Sequence, residues 1–250
     1  MATEKEIRLP TPSKNLKYWR VLVAAPQNKI KMYAWPQYIE RAKNLTYKNY
    51  DLFFVDNSKT IDNSREIMKQ GFNCHWLNPK NKANQLYIAE SLELIRRKAI
   101  NEKYDVLVIL ETDIIPPVDF IERLLLHQKH VVSGAYFIGH GGDSHLMLQE
   151  IEPVGDSMRT AGVIGNGRDI LYADGKLHKI YAAGLGCILM HKEVFTKFNF
   201  RWHPGTDAHP DSFFANDLDK AGYEQYVDTS FICEHHNQSW AGVVDQDKYK

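Results

Sequence analysis

Short apolar runs alternate with helically spaced segments along the first part of the chain. Arg20-Val21-Leu22-Val23-Ala24-Ala25 is a continuous run ended by Pro26, and Asp51-Leu52-Phe53-Phe54-Val55 and Cys74-His75-Trp76-Leu77 follow it. Between them, Tyr33 to Asn44 has helical spacing. A second helix is bounded by Asp62, suited to cap its start, and Gly71, suited to close it. Ala83 to Ile100 is a long amphipathic segment with Leu86, Ala89, Leu92 and Ile95 or Arg96 on its inner stripe. Val106 to Leu110 has no polar interruption, which predicts a strand buried on both faces at the centre of a parallel sheet. Strands alternating with helices in this way predict an α/β fold around a mainly parallel sheet.

The second part is less regular. Phe120 to His127 reads as a helix and Val131 to Phe137 as a strand. From Ile138 to Arg168 the chain is rich in Gly, Asp, Ser and His and has little periodicity, which predicts a long mobile or functional loop. Asp169 to Tyr181, with Asp174-Gly175 at its middle, predicts a hairpin. Ala182 to Met190 reads as one strand leading to a short helix from Lys192. No repeat, low-complexity tract or linker interrupts the chain, so residues 1–250 are expected to form one domain, with residues 1–17 as a polar arm.

Composition narrows the class. A chain of 250 residues with 44% hydrophobic and 25% charged positions has the balance of an ordinary globular protein with a real core. No apolar run approaches the length of a membrane span, and Met1-Ala2-Thr3-Glu4-Lys5-Glu6 lacks the apolar core of a signal peptide. Cys74, Cys187 and Cys233 are too few and too scattered for a disulfide framework or a structural zinc site, so a cytoplasmic location is expected. Net charge is zero but unevenly spread: residues 1–100 carry 18 Lys and Arg against 9 Asp and Glu, the remainder 13 against 22. A basic first part can meet a phosphate-bearing ligand or nucleic acid, although solvated helix faces account for most such lysines.

Chemistry concentrates at the end of the central run. Glu111 and Asp113 stand one residue apart just beyond Leu110, and Pro116-Pro117 stop the strand from continuing. Ligands of open α/β sheets bind beyond the carboxyl ends of the strands, and alternation turns both acids to one side. Such a pair suits a hard cation, Mg²⁺ or Mn²⁺, shared with a diphosphate. A solvated acidic turn is the other reading of the same residues.

Four separated pieces, in order over about Arg20 to His236, resemble the GT-A glycosyltransferases, closest to the family 2 type that uses nucleotide-sugar donors. Val55-Asp56-Asn57-Ser58 is similar to the family's Asp-containing turn, although an Asp-Asn-Ser turn is common in any fold and Asn57 replaces a frequent second Asp. Glu111-Thr112-Asp113 resembles the Asp-x-Asp motif with Glu in first place. Gly184-Leu185-Gly186-Cys187-Ile188-Leu189-Met190 is like the glycine-containing stretch near donor sugar and acceptor, and a bulged strand with packing glycines fits it nearly as well. His209-Pro210-Asp211-Ser212-Phe213-Phe214, followed by Ala221-Gly222-Tyr223, matches the family's Glu-Asp segment, with Pro210 in place of the Glu.

The resemblance implies a GT-A fold, a Rossmann-like sandwich with residues 18–113 as the nucleotide-binding part and 114–240 as the acceptor and catalytic part. It implies a hexosyl- or pentosyltransferase that moves sugar from a nucleoside diphosphate sugar, UDP-linked by expectation, to an acceptor hydroxyl with inversion. Asp211 would be the general base, because a sugar hydroxyl is a weak nucleophile until its proton is accepted; an Asp beside Pro210 also suits a helix N-cap. Asp56, Glu111, Thr112, Asp113, Ala25, Gly184 and Gly186 would contact the donor. Asp113 and His235, with His236 as second choice, would hold Mn²⁺ or Mg²⁺. The acceptor stays open among a glycan, a lipid-linked sugar, a protein and a modified nucleic-acid base. Two rivals remain: a nucleotidyltransferase, disfavoured because Ala24-Ala25-Pro26-Gln27-Asn28-Lys29 lacks a Gly-rich loop, and a catalytically silent sugar- or nucleotide-binding module.

Overall fold

The computed structural model describes residues 19–80, 83–138, 145–154, 157–163, 172, 174–206 and 208–236. The expected arm at residues 1–17 lies outside them. The first part follows the alternation read from the pattern: β1 (Val21–Gln27), α1 (Trp35–Lys43), β2 (Tyr50–Asp56), α2 (Asp62–Lys69), β3 (Asn73–Trp76), α3 (Asn84–Asn101) and β4 (Val106–Leu110). These four strands are parallel neighbours in the order β3, β2, β1, β4. After them come β5 (Ile114–Ile115), α4 (Phe120–Leu126) and β6 (Val131–Ile138). Towards the C-terminus lie β10 (Leu177–Ile180), β12 (Cys187–His191), α5 (Lys192–Lys197), α6 (Pro210–Lys220) and β13 (Gln225–His235). β12 runs antiparallel between β4 and β6, β13 runs parallel to β6, and β10 borders β13. The result is an α/β fold on a mostly parallel central sheet.

The uninterrupted apolar run of β4 is explained by cover on both faces. Val106, Val108 and Leu110 pack with Trp35 and Tyr38 of α1 and Phe120 and Leu124 of α4. Leu107 and Ile109 pack on the other face with Leu92 and Ile95 of α3, Phe195 of α5 and Phe214 of α6. No residue of the strand faces water, so nothing in it needs to be polar.

Three expectations require correction. Asp62 is not the cap of α2: Ile61 holds the N-cap position without a side-chain bond, and Asp62 sits inside the first turn, accepting from Thr60 Oγ1 at 3.0 Å. The long loop expected from Ile138 to Arg168 is, among the described residues, largely sheet. β7 (His145–Leu146) pairs with β6, and β8 (Leu148–Val154) and β9 (Ser157–Val163) form an antiparallel pair flanked by β11 (Ala182–Ala183). Leu146 and Leu148 bury in a small cluster with Ala135, Ile180 and Ala183, too few apolar positions to mark strands in so polar a stretch; residues 139–144, 155–156 and 164–168 lie outside the description. The first arm of the hairpin expected over Asp169 to Tyr181, residues 169–171 and 173, lies outside the described residues, and its second arm, Leu177–Ile180, pairs with β13. The single strand expected from Ala182 to Met190 is two, β11 and β12, broken at Gly184-Leu185-Gly186.

β13 carries an irregularity that matters for the site. Gln225 to Asp228 pair with Val131 to Gly134, but the next pair is Ile232 with Ala135, so Thr229, Ser230 and Phe231 have no partner in β6. The far end of β13 then pairs antiparallel with β5, His235 opposite Ile114 and Glu234 opposite Ile115.

The end of β12 stores a pH dependence. His191 is buried, with its ring edge-on to Trp19 at 4.4 Å between centroids. Burial, with the nearby His130 adding to it and Asp105 opposing it, pushes its imidazole down to about 4 from 6.5. The unfolded chain therefore binds more protons than the folded one between those values, and stability falls as pH drops through that window. The loss should approach roughly 3 kcal/mol at the acid end. His191→Phe should flatten that slope, which urea unfolding at pH 7 and pH 4.5 will read.

Candidate active site

The two acids beyond β4 are held by one lysine that the sequence pattern did not single out. Lys31 lies at the end of a 3-10 turn, Lys29–Lys31, directly after β1, the parallel neighbour of β4. Its Nζ donates to Glu111 Oε2 at 2.5 Å and to Asp113 Oδ1 at 2.9 Å. Asp113 is fully buried, whereas the Glu111 side chain keeps 28% of its surface exposed. Burial alone would drive the Asp113 carboxyl up, but the Lys31 ammonium holds it well below the usual carboxylate range. Burial likewise opposes the Lys31 charge, and the two acids more than restore it, leaving its ammonium raised above an ordinary lysine.

His235 reaches the acids through backbone pairing. The short ladder between β5 and β13 sets His235 opposite Ile114, and His236 N–H donates to the Asp113 carbonyl at 2.8 Å. His235 Nδ1 lies 2.7 Å from the Phe137 carbonyl, which can only accept, so the proton is on Nδ1. In the neutral ring Nε2 is then a lone pair, and it stands 3.7 Å from Asp113 Oδ2. His236 turns instead to Glu234, 3.3 Å away.

An oxygen and an imidazole nitrogen at this separation fit one divalent cation of the Mn²⁺ or Mg²⁺ kind. Among the described residues no group of three or more His, Cys, Asp or Glu side chains converges on a cation. A two-ligand set is what a cation shared with substrate phosphates requires, its other positions being filled by phosphate and water.

Asp211 lies in the first turn of α6, one residue after Pro210, and His209 occupies the N-cap position without a side-chain bond. The capping reading of Asp211 thus finds another residue in that place. Asp211 Oδ1 accepts the Ser212 N–H at 2.8 Å. Burial pushes its carboxyl up and Glu111 adds to this, while the Ser212 N–H and His209 oppose it. Asp211 helps line a small pocket of about 10 Å³ together with Met147, Leu148, Ala182, Ala183 and Gly184. Tyr136 feels both acids as well: burial first, then the charges of Glu111 and Asp211, push its phenol well above the ordinary value.

The glycine stretch packs on that tyrosine. Gly186 N–H donates to Tyr136 Oη at 3.2 Å, and its carbonyl accepts the Glu111 N–H at 2.8 Å. A Cβ on Gly184 would stand 2.2 Å from Tyr136 Oη, and one on Gly186 2.7 Å from the same atom. The close approach these glycines permit is to Tyr136.

The remaining donor candidates are placed as follows. Asp56 is fully buried at the end of β2; its Oδ1 accepts from Ser58 N at 3.1 Å, Ser58 Oγ at 2.5 Å and Asn63 Nδ2 at 2.9 Å. Burial raises its carboxyl, and the Ser58 and Asn63 bonds act against that. Its Oδ2 is buried without a hydrogen-bond partner among the described residues. Thr112 is buried and spends its hydroxyl on Gln27 Oε1, which ties the acid turn to the end of β1. Ala25 is enclosed in the core and exposes no surface.

No protein-family model matches this sequence, and no curated protein matches it. Among solved structures, the mannosyltransferase PcManGT from Pyrobaculum calidifontis, in complex with GDP-Man and Mn²⁺, superposes with a TM-score of 0.56 at 14% identity. The match covers 89% of this chain but only 59% of that protein's length. A197 from STIV matches over 86% of this chain and 85% of its own, at 15% identity and a TM-score of 0.45. At 14% identity the likeness to PcManGT is one of fold, the Rossmann-like α/β architecture termed GT-A.

The seat of Tyr136 is testable. Gly184→Ala would press a methyl on Tyr136 Oη and, at 2.6 Å, on Met147 Cγ. It should cost about 1–3 kcal/mol of stability. Tyr136→Phe removes the oxygen, so the double variant should regain part of that loss, a coupling that urea midpoints in a double-mutant cycle will measure.

Proposed function

We propose that this chain is a metal-dependent glycosyltransferase that moves a sugar from a nucleoside diphosphate sugar to an acceptor hydroxyl with inversion. The observation that carries this reading is the meeting of Asp113 and His235, distant in sequence, at the carboxyl end of the central strand. The nucleotide would occupy the part from 18 to 113 and the acceptor the part from 114 to 240.

Asp113 Oδ2 and His235 Nε2 would hold the divalent cation, which when bound supplies positive charge to the departing diphosphate. The protein's own residues do the rest. The Phe137 carbonyl keeps His235 in the tautomer that leaves Nε2 bare. Asp211 would take the proton of the acceptor hydroxyl, and its burial beside Glu111 raises its proton affinity in the direction a base needs. Asp56 supports a uridine donor: a buried carboxylate oxygen without a partner is costly, and a ring N–H would satisfy it. One open acceptor suits the single ring N–H of uracil better than the adjacent donors of guanine.

The test is incubation with a panel of nucleotide sugars and acceptors, reading released nucleoside diphosphate. Turnover should disappear in chelator and return with Mn²⁺ or Mg²⁺; full turnover in chelator would sink the metal dependence. Asp211→Asn keeps the shape of the side chain but cannot accept the proton. It should lower kcat about 10²–10⁴-fold while donor affinity hardly moves. An Asn variant with near-native turnover, or a product retaining the donor's anomeric configuration, would remove Asp211 as the base of an inverting transfer.

A further inference from the structure

We infer that Lys31 is the group that receives the diphosphate of the incoming nucleotide, a role that rests on the nucleotide-sugar reading above. A nucleoside diphosphate is an anion, and the floor of this site is made of two carboxylates, Glu111 and Asp113. Like charges within a few ångströms repel strongly where water is scarce. The cation nearest to both acids is built into the chain: the Lys31 ammonium, bonded to each, on a side chain only 14% exposed.

Its placement couples it to the base end of the site. Asn28 Oδ1 accepts the Ile30 N–H at 3.2 Å and shapes the turn that carries Lys31. Lys29 N–H donates to Ser58 Oγ at 2.8 Å, and Asn28 Nδ2 donates to Asn57 Oδ1 at 2.7 Å. Ser58 in turn is bonded to Asp56. The turn bearing the ammonium is thus pinned to the Asp56-Asn57-Ser58 turn, so the proposed base contact and the proposed phosphate contact belong to one rigid unit. A lysine head on a flexible four-carbon stem can turn from carboxylate to phosphate while that backbone stays fixed. On the other side of the Asp113 carboxylate, Oδ2 and His235 remain a separate pair, so Lys31 can act with or without a divalent ion.

A counter-ion that only offsets buried acids would be pinned in the same place, so the test must separate the two roles. Calorimetric titrations in chelator compare UDP with uridine, and GDP with guanosine, on wild type, Lys31→Met and Lys31→Arg. Wild type should favour the diphosphate over its nucleoside by about tenfold or more, the worth of a charge-assisted contact. In Lys31→Met that preference should fall to unity or below while nucleoside affinity holds, and Lys31→Arg should keep most of it. A purely structural counter-ion would lower thermal stability and leave the ratio untouched; a wild-type ratio in Lys31→Met overturns the inference. Should Lys31→Met not fold, Lys31→Met with Glu111→Gln leaves one fewer uncompensated charge and reads the same ratio. If wild type binds no nucleoside diphosphate, the donor reading falls and this inference with it, an outcome distinct from loss of the ratio alone.

Discussion

Placing a carboxylate with no exposed surface at the end of a central strand is expensive unless its charge is answered on every side. Asp113 is answered by the Lys31 ammonium on one oxygen, and His235 stands across from the other. The two come from different parts of the chain: the turn after β1, and the far end of β13. Much of the architecture serves this convergence. β1 must lie beside β4 for Lys31 to reach, and β5 must pair with β13 for the histidine to arrive.

The layers of the fold were legible because burial on both faces writes itself directly into sequence. A strand covered twice cannot contain a polar residue, so Val106–Leu110 announced both its conformation and its central position. The acids at its end were legible for the same reason, being the first polar residues after that run. Backbone pairing leaves no such mark, and the pairing of β8 with β9 is not readable from a stretch rich in Gly, Asp and Ser. The break at Gly184-Leu185-Gly186 was hidden by its apolar neighbours on either side.

Lys31 was illegible for another reason. It is one of 18 basic residues in the first 100, and its own stretch, Asn28-Lys29-Ile30-Lys31-Met32, has no pattern that sets it apart. The one signal that points to it is topological: the loop following the strand next to β4 is where a counter-ion for Glu111 and Asp113 has to come from. Tyr136 was concealed inside a strand, and only the cost of a Cβ on Gly184 or Gly186 reveals that the glycines were kept small for its ring. The fold comparison adds nothing to these residue roles; at 14% identity it speaks to the path of the backbone.

The three residues of β13 without a partner in β6 act as a parity switch. Before them the even-numbered side chains share the face of Val132 and Tyr136, Tyr226 packing on that cluster; after them the odd-numbered ones do, with Cys233 inside it. Three is an odd number, so the strand leaves the irregularity turned over. His235 therefore faces Asp113, and its neighbour His236 does not. Losing one residue in that stretch would bring His236 to the place His235 holds, gaining one would bring Glu234 there, and a change of two would preserve the face and merely slide the strand.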